Sequence, residues 1–109
     1  MRSRAAVLGL LVLAGCTATQ AARDPAVFLP DARGLGVAGS ELRVDFGRAT
    51  EGVIPTLTRE LGPPRRLSLD GCPAGIADRL RWNGLELTFT AESFVGWCDA
   101  AGQGGEVCS

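Results

Sequence analysis

The chain contains no histidine, no lysine and no tyrosine. Without histidine it has neither Ser–His nor Cys–His nucleophilic pairs and no histidine-ligated metal site. Scattered acids such as Asp70, Asp78 and Glu86 form no recognisable catalytic pair. Cysteines dispersed along a chain without histidine make a poor metal set, so neither an enzyme nor a metal or other cofactor is expected. All basic residues are arginine, and the formal net charge is −1, a balance that does not suggest a nucleic-acid partner. Apolar runs are short as well. None reaches the roughly 20 residues that a membrane-spanning helix requires.

What is present begins at the first apolar run. Arg2 and Arg4 precede Ala5 to Ala14, and a small-residue site follows. That is the anatomy of a secretory signal peptide. The run ends in Leu13-Ala14-Gly15-Cys16, which resembles the bacterial lipobox. The resemblance implies a diacylglycerol thioether on Cys16 and cleavage just before it. The need is physical: one acyl chain gives marginal membrane binding, whereas two or three hold stably. Thr17 follows the cysteine where Asp would be the alternative, and by the same analogy this favours the outer membrane of a Gram-negative cell. The expected location is the cell envelope, anchored and facing the periplasm.

Loss of the leader at 1–15 leaves about 94 residues with a charge of about −3, enough for one small domain. Residues 16–33 read as a lipidated flexible tether, within which Ala26-Val27-Phe28-Leu29 is a possible edge strand. Gly34-Leu35-Gly36-Val37-Ala38-Gly39 spells the dinucleotide fingerprint. The fingerprint needs a strand before it and a helix opening on it. Pro30 and Asp31 precede this one and the strand-like Glu41–Phe46 follows, so no nucleotide is expected. A hairpin fits better, with a two-residue turn at Gly39-Ser40. Leu35 then faces Val44, and Leu35, Val37, Leu42 and Val44 share one face.

Thr50, Val53, Ile54, Leu57 and Leu61 form one helical stripe, stopped by Gly62-Pro63-Pro64. Pro55 leaves the helix start open between Thr50 and Pro55 itself. Arg65–Asp70 alternates as a strand with Leu67 and Leu69 inward. Arg79–Trp82, Asn83-Gly84 and Leu85–Thr90 form a hairpin with a type I′ turn, in which Leu80 pairs with Leu87 and Arg81 with Glu86. A second turn at Ala91-Glu92 sets Phe89 opposite Phe94. In regular register, Val95 and Trp97 fall on the polar face beside Arg81. Trp97 and Arg81 are therefore the candidate binding residues. Arg65 and Arg66 are candidates for anionic lipid heads, with a solvated strand start the simpler reading. The fold class is α+β: an antiparallel meander of about four to six strands over residues 34–98, one helix on its apolar face, and a Gly-rich tail at 99–109.

Leu61-Gly62-Pro63-Pro64, followed by strands ending in Phe94-Val95-Gly96-Trp97, resembles small envelope lipoproteins of the SmpA/OmlA kind. In those, a helix ending in Leu-Gly-x-Pro packs on an antiparallel sheet. The family's Gly-Met-Thr helix entry is not reproduced; Gly47-Arg48-Ala49-Thr50-Glu51 stands in its place. The resemblance covers about half of the mature chain. It implies a fold neighbourhood and a role in outer-membrane assembly or integrity, through an envelope protein partner.

With Cys16 lipidated, Cys72, Cys98 and Cys108 remain, in a compartment that permits disulfides. Cys72 and Cys98 fall at opposite ends of the meander, roughly 15–17 Å apart at ~3.3 Å per residue, too far for a bridge. The tail can carry Cys108 to Cys72, the favoured pairing, or curl it back to Cys98. The functional expectation is a lipid-anchored, non-enzymatic protein with a structural or protein-binding role; a periplasmic small-ligand binder or inhibitor using a groove between helix and sheet is the alternative.

Overall fold

The computed structural model describes residues 24–109. The leader at 1–15, Cys16 and the first part of the expected tether lie outside the described residues. In chain order the elements are β1 (Phe28–Asp31), β2 (Gly34–Val37), β3 (Arg43–Asp45), α1 (Thr50–Leu61), β4 (Arg65–Arg66), β5 (Ile76–Trp82), β6 (Leu85–Thr90), β7 (Phe94–Cys98) and β8 (Gln103–Gly105). The class is α+β, with one helix among the described residues. The strands form two antiparallel sheets, β1-β2-β3 and β4-β5-β6-β7-β8, and not one meander. The helix intervenes in sequence between the two sheets. Its entry is hooked to β7, where Gly47 donates to the Phe94 carbonyl at 2.8 Å and Phe94 donates to that of Arg48 at 2.9 Å.

The later part of the span 16–33, expected as a flexible tether, is structured. Phe28–Asp31 is an edge strand paired residue by residue with Val37–Gly34. The hairpin register is the expected one, Leu35 opposite Val44. Its turn differs, however. Ser40 donates to the Val37 carbonyl, so the turn centres on Ala38-Gly39, one residue earlier than Gly39-Ser40. Gly39 takes a φ of 71°, the left-handed value that this turn position demands. The chain then rejoins the ladder only at Arg43, and Leu42, expected inward, stands 72% exposed.

The helix runs from Thr50 through Pro55. Pro55 and Glu51 are both exposed, so the Glu51 carbonyl, which loses its intrahelical donor to the proline, belongs to a solvent-exposed stretch of the helix. Val53 and Leu57 are buried, and Ile54 and Leu61 pack against the same core. At the far end the helix is fixed by Trp82, whose indole N–H donates to the Gly62 carbonyl at 2.9 Å. Beyond the helix, the expected 65–70 strand shortens to Arg65–Arg66 paired with β5, followed by one bond from the Leu67 amide to the Arg79 carbonyl at 2.8 Å, and Leu69 is exposed. The β5–β6 hairpin has the expected register and turns at Asn83-Gly84, but not through the expected type I′ turn: Asn83 has a φ of 54°, whereas Gly84 lacks the positive φ that type I′ requires of both central residues. Its apolar face supplies Leu80, Trp82, Leu87 and Phe89 to the core, which Leu35, Leu57 and Phe94 complete. Full burial of each such side chain contributes about 1.5–3 kcal/mol.

Candidate functional site

The two residues expected to form a binding face are not together. Phe89 pairs with Phe94 as expected, but the ladder then shifts by one: Thr88 faces Gly96, Leu87 faces Trp97 and Glu86 faces Cys98. Val95 is the extra residue of a β-bulge. Because side chains alternate with period two, one inserted residue transfers everything beyond it to the other face. Trp97 is therefore 8% exposed and part of the core. Its indole N–H donates to the Asp31 carbonyl at 2.7 Å, tying β7 to β1. Gly104 leaves space for the ring: a Cβ there would lie 2.6 Å from Trp97 Nε1. Cys98 is carried outward by the same shift.

Arg81 remains on the outer face, in a three-membered charge cluster. Arg79 Nε donates to Glu86 at 2.7 Å and Arg81 Nη2 at 3.1 Å. Glu86 is 4% exposed. Burial pushes its carboxyl up, the two arginine hydrogen bonds pull it down, and the carboxyl ends below the ordinary glutamate range. The cross-strand pair Arg81–Glu86 is the one read from the sequence. The second donor, Arg79, was not anticipated, because it sits diagonal to Glu86 and not opposite. Two guanidinium groups share one carboxylate, so the cluster keeps one net positive charge, and the Arg81 side chain, bonded to Glu86 through Nη2, is 44% exposed. Asp78 is likewise engaged, by Arg66. Asp70 stands alone in an exposed turn, so the scattered acids are not brought together.

The tail is more ordered than a Gly-rich run implies. Asp99 Oδ1 accepts from the Ala101 and Gly102 amides, turning the chain so that β8 pairs with β7. Residues 106–109 then cross the outer face. Glu106 N–H donates to the Val95 carbonyl, and Thr88 Oγ1 donates to the carbonyl of Glu106. A Cβ at Gly96 would overlap that same Glu106 oxygen. This path brings Cys108 to Cys72, and the two are disulfide-bonded. Cys98 is a free thiol.

A concavity lies elsewhere, between α1 and the inner face of the N-terminal sheet. Its volume is about 680 Å³, within the ~300–1,000 Å³ typical of small-molecule sites. Phe28, Val37 and Val44 form one apolar wall, and Ala49, Gly52 and Val53 of the helix side form the other. Polar groups sit at the two ends. Arg43 and Arg48 lie near the start of the helix, and Arg59, Glu60 and Asp24 lie near its end. Arg43 is held by Asp31 at 2.7 Å and Asp45 at 2.8 Å. Its hydrogen bond keeps the Asp31 carboxyl below the ordinary range. Glu60 Oε1 accepts from the Ala26 amide at 2.9 Å, which fastens the N-terminal segment along the groove. Arg48 Nη2 donates to the Arg43 carbonyl at 3.3 Å and pairs with no carboxylate among the described residues.

A groove between helix and sheet was anticipated, but its residues were not. Phe28 lay inside the expected tether, and Arg43 and Arg48 carried no motif. The available signal was the apolar run Ala26–Leu29, which places an aromatic next to Val37 once it docks as β1. Among the described residues no group of three Asp, Glu or Cys side chains is placed to hold a metal, and no helix is long and apolar enough to cross a membrane. Compared with protein-family models, with characterised proteins and with solved structures, the chain matches none.

Proposed function

We propose that the protein is a lipid-anchored component of the bacterial cell envelope with a non-enzymatic binding role, exercised through the groove between α1 and the N-terminal sheet. The observation that carries the anchor is Leu13-Ala14-Gly15-Cys16 at the end of a short apolar run behind two arginines. What supports binding in the groove is an apolar cleft left open beside a filled core, with charged groups only at its ends. The two ideas meet at the N-terminus. Asp24 and Ala26 line the groove, and Asp24 is eight residues from Cys16. An extended segment of that length spans at most about 29 Å, so a lipid on Cys16 holds the groove close to the bilayer surface. Trp97, buried in the core, plays no part in this reading.

Mass spectrometry of the N-terminus after expression in a bacterial host tests the anchor. The expected product begins at an acylated Cys16; a mature chain with an unmodified Cys16, or one that begins beyond it, overturns the anchor. A photo-crosslinking residue at Thr56 in the full chain tests the groove. Adducts should form in intact envelopes and be lost when Gly52→Leu fills the cleft; adducts indifferent to that substitution overturn the groove as the site.

A further inference from the structure

We propose that the groove takes a single-chain anionic amphiphile, a fatty carboxylate, with its chain between Phe28, Val37 and Val53 and its head at Arg48. This rests on the reading of the groove as the binding site, and it names the ligand class. The cleft follows the helix from Ala49 to Glu60, about 16 Å at 1.5 Å per residue. Its walls are mainly apolar, with Thr56 the polar residue midway along the helix side, and charged residues lie towards its ends, an arrangement that suits a chain with one polar terminus. The two ends differ. At the far end Glu60 and Asp24 accompany Arg59, whose Nε lies 3.8 Å from Glu60, so carboxylates outnumber guanidinium groups two to one there. At the near end Arg43 is compensated by Asp31 and Asp45, but Arg48 has no carboxylate partner among the described residues. A carboxylate head would give Arg48 a charged partner, and the planar guanidinium suits it.

An extended peptide is the competing occupant, since β3 is a sheet edge next to the cleft. That edge is blunted. The Asp45 carbonyl accepts from the Arg48 amide at 3.2 Å, and the Arg43 carbonyl accepts from the Arg48 side chain. With three residues and both of these carbonyls engaged, β3 has little backbone left to pair with an incoming strand. Gly52 completes the argument for a slim chain. It lies on the groove wall, and a Cβ there would meet no atom within 4 Å.

The test uses the full chain carrying Cys16→Ser, so that no covalent lipid competes, with calorimetric titration of octanoate, decanoate and laurate below their micellar concentrations. Affinity should tighten by up to about fourfold per added methylene, the equivalent of ~0.8 kcal/mol for each buried CH₂. Decanoate should bind at least tenfold more tightly than decyltrimethylammonium, and Arg48→Gln should remove most of that preference. Gly52→Leu, favourable for the helix itself, should weaken laurate at least tenfold with an unchanged urea midpoint; Thr56→Phe serves the same purpose if that midpoint falls. Equal binding of the cationic and anionic amphiphiles overturns the carboxylate head. Absence of a chain-length dependence, or laurate binding that survives a filled groove, overturns the amphiphile. If laurate fails while the envelope adducts at Thr56 still depend on Gly52, the ligand class falls and the groove stands; if both are indifferent, both fall.

Discussion

Glu86 is a carboxylate enclosed by two guanidinium groups on an otherwise polar sheet face, and its protonation is coupled to folding. Its folded value lies below the ordinary one, so the stability it contributes is fully present above about pH 4.3 and is lost as pH falls through the lower folded value. Glu86→Gln should therefore cost about 1–2 kcal/mol at neutral pH, the partial exposure of Arg81 keeping the figure modest. The difference from the parent should close as pH drops below 4. Urea unfolding at pH 7 and pH 3 measures both; a constant difference at the two pH values would show that Glu86 is not the group responsible. Trp97 differs in kind. Trp97→Ala removes a buried ring and should cost about 3–5 kcal/mol. Trp97→Phe keeps most of the apolar contact but leaves the Asp31 carbonyl without its donor, for a loss of about 1–3 kcal/mol. Chemical denaturation monitored by circular dichroism separates the two. A loss for Trp97→Ala within ~0.5 kcal/mol of zero would be the behaviour of a surface residue and would contradict its place in the core.

Among the elements, β7 decides the most. Its bulge at Val95 gives the strand two registers in five residues. Val95 itself is only half-buried, so Val95→Ala should change stability by less than about 1 kcal/mol. Deleting Val95 removes the same side chain and also restores the regular register, which turns Trp97 to the outer face and Cys98 to the core. The deletion should unfold the domain or lower its thermal midpoint far more than Val95→Ala does. Similar midpoints for the two variants would argue against the bulge. The helix shows the opposite relation between local and tertiary forces. Pro55 disfavours a helix interior by ~3 kcal/mol, yet α1 passes through it, since Val53 before the proline and Leu57 and Leu61 after it are all needed by the core.

At the scale of the molecule, the Cys72–Cys108 bridge closes a 36-residue separation that contains β5 through β8, and it holds the 106–109 strap across the outer face. Cys72→Ser with Cys108→Ser should cost about 2–4 kcal/mol, chiefly by freeing the unfolded chain. Cys98→Ser should change stability by less than about 1 kcal/mol. Thermal unfolding of the two variants, together with non-reducing peptide mapping, checks the pairing; a Cys98-linked peptide would contradict it. The sequence by itself determined whatever depends on near neighbours. The Asn83-Gly84 turn sets the β5–β6 register through Leu80 and Leu87. Leu35 opposite Val44 follows from a short hairpin, and the helix stop follows from Gly62-Pro63-Pro64. The lipobox reading belongs to the sequence alone, because Cys16 precedes the described residues. Only the tertiary structure decided the rest. One unpaired residue at Val95 leaves no mark in a pattern of alternating side chains, so Trp97 read as exposed. The docking of β1, which makes a groove wall of Phe28, depends on the pairing of Phe28 with Val37, nine positions away, and on the bond between Asp31 and Trp97, 66 positions away along the chain. Burial that rests on such distant partners appears only when the chain is folded, because it is the assembled surface, and no local preference, that excludes the water.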